Sequence, residues 1–333
     1  MRNILFSDGL TLRTGINIGT NTAEVSALNE KILSIIKEIR KHIKGKDEII
    51  QKVLCTMLAG GHVLLEDIPG VGKTTLALAI SNAMSLEYRR VQFTPDVMPS
   101  DVTGFTMYNA QTQSFEYHEG AAICNLLLAD EINRTSPKTQ SALLELMEEG
   151  KVTVDGQIHY VKKPFFVIAT QNPYGSAGTQ RLPESQMDRF MVRLSMGYPD
   201  HDSSLDILRT DSVDEYVECV VTVDEFLEMQ NTVRNIHVDD AVFEMIVNYS
   251  EASRQSDNIL MGISPRGSKA ILRMARAQAF IYKRNYVTVE DVLSILNCTV
   301  AHRIVLSTKA KAKNIEVEQV LNELTDMIHV PKI

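Results

Sequence analysis

Cysteine is scarce in this chain, and its four residues, Cys55, Cys124, Cys219 and Cys298, lie far apart along the sequence. Their spacing fits neither a zinc knuckle nor a disulfide framework. The eight histidines are equally scattered and show no metal-ligand spacing. A single cysteine within an apolar stretch is typically a small core residue. We therefore expect a protein of the reducing cytoplasm.

Long hydrophobic runs and blocks of like charge are also missing. No apolar run approaches the ~20 residues that a membrane-spanning helix needs, and Ser7, Asp8 and Arg13 interrupt the N-terminal stretch where a signal peptide would be apolar. The net charge is −8, with no basic block to suggest a nucleic-acid-binding surface. The 333 residues are 44% hydrophobic and 23% charged, an ordinary globular composition with room for two or three domains.

The hydrophobic pattern divides the chain into three parts. Residues 1–22 are polar, show no sustained period and are expected to form a mobile leader. From residue 23 to 198, an amphipathic helix over 24–43, ended by Gly45, precedes short apolar segments that alternate with helices. Such segments predict an α/β fold with a parallel sheet covered on both faces. The expected strands are residues 62–66, 88–93, 125–129, 165–170 and 190–196.

Two hairpins interrupt this alternation, and helices alone follow it. The Asp155-Gly156 turn predicts a hairpin over 151–162, and a weaker pattern predicts another that pairs 104–108 with 114–118. From residue 199 to 333 the sequence predicts a separate, smaller helical domain without strands. Its expected helices are residues 202–210, 223–234, 239–254, 265–282, 288–297 and 316–328.

A glycine-rich segment carries the clearest functional signal. It follows the apolar run 63–65 and precedes a helical stretch, the order in which backbone N–H groups and a helix N-terminus enclose a polyphosphate. Lys73 would bridge the β- and γ-phosphates of a nucleotide, and the Thr74 hydroxyl would bind Mg²⁺. Asp67 stands where the general pattern has glycine, so a glycine-rich turn beside a core strand is the alternative. The predicted nucleotide-binding residues are Pro69, Gly70, Val71, Gly72, Lys73, Thr74 and Thr75.

An acidic pair, Asp130 and Glu131, ends the apolar segment 125–129, where a buried carboxylate would be costly without a partner. Beside magnesium, Asp130 would hold the ion through water, and Glu131 would polarise the attacking water. Carboxylates at the start of an ordinary loop are the alternative. Asn172, past the next apolar segment, is suited to orient that water, although an asparagine before proline is also ordinary turn chemistry.

Two arginines each have a structural and a functional interpretation. Arg189 is expected to close a short helix, where the helix dipole favours a cation. Arg266 instead lies in the first turn of a helix that has Ser264 as its N-cap and Pro265 as its first residue. The dipole opposes a cation there, which suggests an outside anion such as a nucleotide phosphate. A lone arginine at a helix start is, however, usually solvated.

Together these motifs resemble those of the AAA+ ATPases and, within them, the MoxR family. The similarity covers about residues 24 to 330, and the Asp67 variant is familiar in that family. Gln180-Arg181 departs from the Tyr-Pro expected there. The matching segments are 61–77 (GHVLLEDIPGVGKTTLA), 128–140 (LADEINRTSPKTQ), 170–173 (TQNP), 182–190 (LPESQMDRF) and 264–266 (SPR).

The resemblance implies an AAA+ P-loop domain with hairpin inserts, followed by a helical lid. It implies Asn172 as sensor 1, Arg189 as an arginine finger and Arg266 as sensor 2 in the lid. It also implies a homo-oligomer, most often a hexameric ring, and a protein partner that bears a von Willebrand factor A domain.

We therefore expect a magnesium-dependent ATPase that uses ATP to remodel or mature a protein partner. A DNA-directed motor with related inserts is the alternative, but hairpins that track DNA should present lysine or arginine. The first hairpin carries Glu116 and His118, and the second has Asp155 at its tip and Lys162-Lys163 at its base. No nucleic-acid partner is expected. A nucleotide-gated switch with little turnover is disfavoured because the catalytic residues are present.

Overall fold

The computed structural model describes residues 22–172, 182–209 and 216–327, without the side chains of 22–26. The expected leader, residues 1–22, lies outside the described residues except for Thr22, which begins the first helix, and Gln180-Arg181 lies outside them as well. The helices are α1 (Thr22–His42), α2 (Asp47–Leu58), α3 (Lys73–Ala83), α4 (Pro99–Thr103), α5 (Pro137–Glu149), α6 (Glu184–Met187), α7 (His201–Arg209), α8 (Val223–Arg234), α9 (Asp240–Gln255), α10 (Pro265–Ile281), α11 (Val289–Val300), α12 (Thr308–Ala312) and α13 (Val317–Met327). The strands are β1 (Val63–Glu66), β2 (Tyr88–Gln92), β3 (Gly104–Asn109), β4 (Ser114–Glu119), β5 (Leu126–Asp130), β6 (Lys151–Val154), β7 (Gln157–Tyr160), β8 (Phe166–Gln171), β9 (Val192–Leu194), β10 (Ile259–Met261) and β11 (Val305–Leu306).

Five strands form one parallel sheet in the order β2-β5-β8-β1-β9, which confirms the predicted fold class. β8 lies between β1 and β5, with Ala169 opposite both Leu64 and Ala129. Because the strands are parallel, the segments that follow β1, β5 and β8 all leave the sheet at its carboxyl edge. The topology therefore gathers the glycine-rich segment, the acidic pair and Asn172 at that edge.

Alternating side chains of the central strands supply two hydrophobic cores, one on each face of the sheet. Leu64, Leu127 and Val167 pack with α4 and α5 on one face. Leu65 and Leu128 pack with α1, α2 and α3 on the other, in a core that continues through α8 to α11. The described helices after residue 199 thus share a core with the sheet, and buried hydrophobic contacts connect the two parts.

The prediction that no strand follows residue 199 is wrong, because β10 and β11 pair antiparallel, with Ile259 opposite Leu306. They have three and two residues, too few to show a hydrophobic period. The sequence also failed to indicate α2, in which every residue from Val53 to Leu58 is buried. The second half of α2 is buried all round, and a short, mostly apolar run of this kind fits a buried strand as well as a helix.

Both expected hairpins are present, as β3–β4 and β6–β7. Asp155 and Gly156 have φ angles of 48° and 80°, the positive values that a tight two-residue turn needs. The hairpins touch each other where the rings of Tyr117 and His159 stack with centroids 3.5 Å apart. None of the helices within the described ranges is long and apolar enough to cross a membrane.

Three of the four cysteines, Cys55, Cys124 and Cys298, are buried as small core residues, whereas Cys219 is exposed, and all four are free thiols.

A buried histidine connects the sheet to α5. The Nε2 atom of His62 lies 3.0 Å from the Met147 carbonyl oxygen and acts as donor, because Nδ1 accepts the Val167 N–H at 3.0 Å. Only the neutral ring can play both roles. Burial accordingly lowers the pKa of His62 to about 4 from its usual 6.5.

His62 should make the fold sensitive to mild acid. The unfolded chain binds a proton at this ring below pH 6.5 and the native protein binds it only near pH 4, so stability is lost as the pH falls between those values. At pH 5 the loss should be about 2 kcal/mol. Urea unfolding at pH 7 and pH 5 should show a smaller pH effect in His62→Gln than in the parent. The exposed His237→Gln should behave like the parent, and an unchanged pH effect in His62→Gln would contradict the assignment.

Candidate nucleotide-binding site

The glycine-rich segment connects β1 to α3, and its glycines are required by backbone conformation. Gly70 and Gly72 have φ angles of 85° and 91°, in the region that L-residues rarely adopt. A Cβ atom at Gly70 would meet nothing within 4 Å, so crowding is not the reason for glycine there. Gly72 is the N-cap of α3. The free N–H groups of the first turn of α3, which begins at Lys73, can therefore bind an anion.

Asp67, which departs from the general pattern, anchors this segment. Its buried carboxylate accepts hydrogen bonds from the Ser195 hydroxyl at 3.0 Å, the Gly197 N–H at 3.1 Å and the Met196 N–H. These donors follow β9, the neighbour of β1 at the edge of the sheet. Glycine at position 67 would leave two backbone N–H groups without this partner. The carboxylate thus fixes the start of the loop to the chain that leaves β9.

Lys73 lies over the same loop. Its Nζ donates to the carbonyl oxygens of Asp67 at 3.0 Å and Ile68 at 3.2 Å. Partial burial lowers the pKa of Lys73, against the opposing effect of nearby carboxylates, among them Asp130 and Glu131. The ammonium group is therefore held at the mouth of the loop, where it can meet a phosphate.

The acidic pair is positioned by a hydroxyl on the neighbouring strand. Thr170 of β8 donates its Oγ1 proton to Asp130 at 2.6 Å and accepts the Glu131 N–H at 2.9 Å. Glu131 has a φ of 56°, a left-handed conformation that costs a non-glycine residue about 1–2 kcal/mol. Such strain at the end of a strand is typical of a functional position.

Two arginines that the sequence did not indicate neutralise these carboxylates. Arg90 of β2 pairs with Asp130 at 2.7 Å, and Arg134 pairs with Glu131 at 2.6 Å. Arg90 reaches the site because β2 lies beside β5, with Gln92 opposite Asp130. Strand order cannot be read from the local sequence, so no motif could have found Arg90. Arg134, three residues after Glu131, lies within the matching segment 128–140.

These residues surround one open cleft of about 430 Å³, within the range of nucleotide-sized pockets. It is lined by Asp67, Pro69, Gly70, Gly72, Lys73, Thr74, Thr75, Arg90, Gln92, Asp130, Glu131 and Asn172. All the predicted site residues around the loop therefore converge, except Val71, whose side chain packs against the core. We call this the first cleft.

The oxygen donors in the first cleft fit a magnesium ion. Thr74 supplies a hydroxyl and Asp130 a carboxylate, the ligand types that Mg²⁺ prefers. No group of three or more His, Cys, Asp or Glu side chains in the described part of the chain could hold a metal by itself. Magnesium commonly completes its shell with substrate phosphates and water, so the residues present fit an ion that binds together with a nucleotide.

Arg189 and Arg266 lie elsewhere, and both pair with Glu148 at the end of α5. Arg189 does not close a helix as predicted, because α6 ends at Met187 and Arg189 follows it. Arg266 does lie in the first turn of α10, where Ser264 caps the helix by accepting the Gly267 N–H at 3.0 Å. The two arginines line a second cleft, of about 320 Å³.

The two clefts lie at opposite ends of the sheet. Gly60, Gly61 and His62, which precede β1, line the second cleft, whereas the loop that follows β1 lines the first. The four residues of β1 separate them by roughly 13 Å, at about 3.3 Å per residue. The structure thus brings the loop, the acidic pair and Asn172 together in the first cleft and places Arg189 and Arg266 in the second cleft.

Comparison with known proteins agrees with this architecture. Residues 62–192 match the model of the ATPase family associated with various cellular activities (AAA), and residues 251–324 match that of the AAA lid domain. The uncharacterized protein YeaC of Bacillus subtilis is 45% identical over 89% of this chain and 93% of its own length. Chaperone MoxR1 of Mycobacterium tuberculosis is 34% identical over 93% of this chain and 84% of its own. A crystal structure of a candidate ATPase from Cytophaga hutchinsonii superposes with a TM-score of 0.87 at 34% identity, covering 93% of this chain and 98% of the other.

Removal of the Asp67 carboxylate should destabilise the loop and the end of β9 together. Asp67→Ala leaves the Met196 and Gly197 N–H groups without their acceptor, and loss of charge-assisted hydrogen bonds of this kind should cost about 2–4 kcal/mol of unfolding free energy. Urea unfolding measures this cost. Asp96→Ala, at an exposed position, should change stability by less than about 0.5 kcal/mol. Equal stability of the two variants would show that Asp67 is not the anchor.

Proposed function

Because this chain belongs to the MoxR family of AAA+ ATPases, we propose that it hydrolyses ATP, with magnesium, to remodel or mature a protein partner. The observation that carries the proposal is the first cleft, in which Lys73, Thr74, Asp130 and Glu131 converge on a loop that ends at a helix N-terminus. A phosphate-binding loop without a base would support binding alone. Here a strained glutamate beside the loop supports hydrolysis.

Each residue of the first cleft has a role in the proposed reaction. Lys73 and the first N–H groups of α3 hold the β- and γ-phosphates and stabilise charge that develops on them. Glu131 accepts the proton of the attacking water, and Asn172 orients that water. Thr74 and Asp130 would hold magnesium, which when bound neutralises phosphate charge. Arg90 keeps the Asp130 carboxylate in place through their ion pair.

Arg189 and Arg266 are proposed to act on the ATP of a neighbouring subunit. Both lie in the second cleft, at the end of β1 opposite the loop. An arginine that serves a site in another copy of the chain requires head-to-tail contacts, and these form a ring when the rotation between subunits closes. We propose a homo-oligomer of this kind, with the six subunits that the resemblance to the MoxR family implies. The second cleft of each subunit would face the ATP phosphates of its neighbour.

We propose that the partner is a protein, in line with the name chaperone of the mycobacterial relative. We further propose that this partner contains a von Willebrand factor A domain, as the resemblance to the MoxR family implies. The hairpins support a protein over DNA, because their exposed side chains include Phe115, 75% exposed, and Tyr160, 68% exposed. At the base of the second hairpin, Lys151 pairs with Glu149 and Lys162 pairs with Glu87. The DNA-directed motor is therefore not favoured. We place the protein in the cytoplasm, where its four thiols would stay reduced.

Substitutions at Lys73 and Glu131 should separate binding from chemistry. Lys73→Ala should abolish ATP binding, because Lys73 contacts phosphate in the ground state. Glu131→Gln should bind ATP like the parent and hydrolyse it about 10²–10⁴-fold more slowly, since Glu131 acts only on the water. Fluorescent-nucleotide titration and phosphate release measure the two effects, with the exposed Glu228→Gln as a control. Near-parent hydrolysis by Glu131→Gln would remove Glu131 from the role of base.

Mixing two inactive variants should test action between subunits. Arg189→Ala should lower kcat by up to ~10³–10⁵-fold with little change in ATP affinity, whereas loss of an exposed ion pair alone would cost at most about 1 kcal/mol of stability. In mixed rings, an intact Arg189 on a Glu131→Gln subunit can face an intact Glu131 on an Arg189→Ala subunit. Part of the activity should return. Arg209→Ala, at an exposed arginine of α7, should keep full activity by itself. If co-assembled rings stay inactive, Arg189 does not act in trans.

A further inference from the structure

One carboxylate holds both arginines of the second cleft. Glu148 accepts Arg189 on Oε2 and Arg266 on Oε1. Within the described ranges, neither arginine pairs with any other carboxylate. The three residues come from separate elements: α5, the segment after α6, and the first turn of α10. Glu148 is therefore the point at which the two arginines are brought together.

The other charged groups of the second cleft have partners of their own or none. The Asp188 carboxylate pairs with Arg303 at 2.8 Å and accepts a hydrogen bond from the Ser264 hydroxyl. Arg273 donates to the backbone carbonyls that follow α2. The side chain of Lys269, exposed on α10, makes no hydrogen bond or ion pair in the described structure. Among the described carboxylates, Glu148 is thus the one that pairs with both arginines, and the cleft keeps a net positive charge.

We propose that Glu148 is a positioning residue that presents Arg189 and Arg266 as one unit to the triphosphate of a neighbouring subunit. This inference rests on the proposed function, since it needs both arginines to act in trans. Two unpaired guanidinium groups at this spacing would repel each other. Each long side chain would also lose up to about 2 kcal/mol of rotamer entropy on being ordered by the phosphate. The carboxylate removes the repulsion and orders both side chains before the nucleotide arrives.

The arrangement also links the finger to the lid. Arg189 is attached to the sheet, and its guanidinium donates to the Leu144 carbonyl of α5 at 3.2 Å. Arg266 belongs to α10, and within the described ranges its side chain contacts α5 through Glu148 alone. A shift of α10 relative to α5 would therefore separate the two arginines. Through Glu148, the position of the lid in one subunit sets how completely its neighbour's phosphate is contacted.

The test compares Glu148→Gln with Glu145→Gln, one turn earlier on α5 at an exposed position without an ion pair. Glu148→Gln should lower kcat about 10–100-fold, the usual effect of misplacing a catalytic group by about 1 Å, with KM for ATP within about twofold. Glu148→Asp keeps the charge but shortens the reach, so its kcat should lie between those of the parent and Glu148→Gln. Glu145→Gln should match the parent.

Mixing distinguishes this role from a structural one. Glu131→Gln subunits carry an intact Glu148, so adding them should raise the turnover of Glu148→Gln subunits, as it should for Arg189→Ala. Provided that Arg189→Ala complements, two results would overturn the inference. One is a kcat of Glu148→Gln equal to that of the parent. The other is a lowered kcat of Glu148→Gln that does not rise when Glu131→Gln subunits are added. If Arg189→Ala itself fails to complement in co-assembled rings, the proposed function fails first, and the role of Glu148 in trans fails with it.

Discussion

The parallel pairing of β8 with both β1 and β5 is the constraint on which the rest of the site depends. It places the ends of three strands side by side, so that a loop, an acidic pair and an asparagine from distant parts of the chain line one cleft. Thr170 connects this strand pairing to the acidic pair, because its hydroxyl contacts both Asp130 and Glu131. A shift in register by one residue would turn this hydroxyl to the other face of the sheet.

A second network fixes the helices after residue 199 to the opposite end of the sheet. Arg303, 4% exposed, donates to the Asp188 carboxylate and to the backbone carbonyls of Phe190 and Met191. Burial of a guanidinium is costly unless its donors are satisfied, and here carboxylate and carbonyl oxygens satisfy them. Because Asp188 directly precedes Arg189 and also accepts from Ser264 at the start of α10, the same network helps to place Arg189 and Arg266.

These two networks explain how one chain can hold two half-sites. In the proposed reaction, the first cleft supplies the groups that bind a triphosphate and activate water, and the second cleft supplies cations about one strand length away. Arg189 and Arg266 lie about one strand length from the loop of their own chain, so in the proposed function the full set of groups is completed between copies. In the proposed ring, cooperation between subunits would follow from the length of β1 and the direction of the sheet.

Local sequence determined the elements whose chemistry is local. The loop at 67–75 needs positive φ angles and a following helix, and both leave their mark in adjacent residues, as do the caps of α5 and α10 and the Asp-Gly turn. The mostly apolar second half of α2 did not distinguish a helix from a buried strand, and β10 and β11 are too short to show a period. The sequence also could not place Arg90 beside Asp130 or Glu148 between Arg189 and Arg266, since those contacts join elements 40 or more residues apart. Only the tertiary structure decided them, because strand order and the docking of α10 depend on the packing of the whole core rather than on any neighbouring residues.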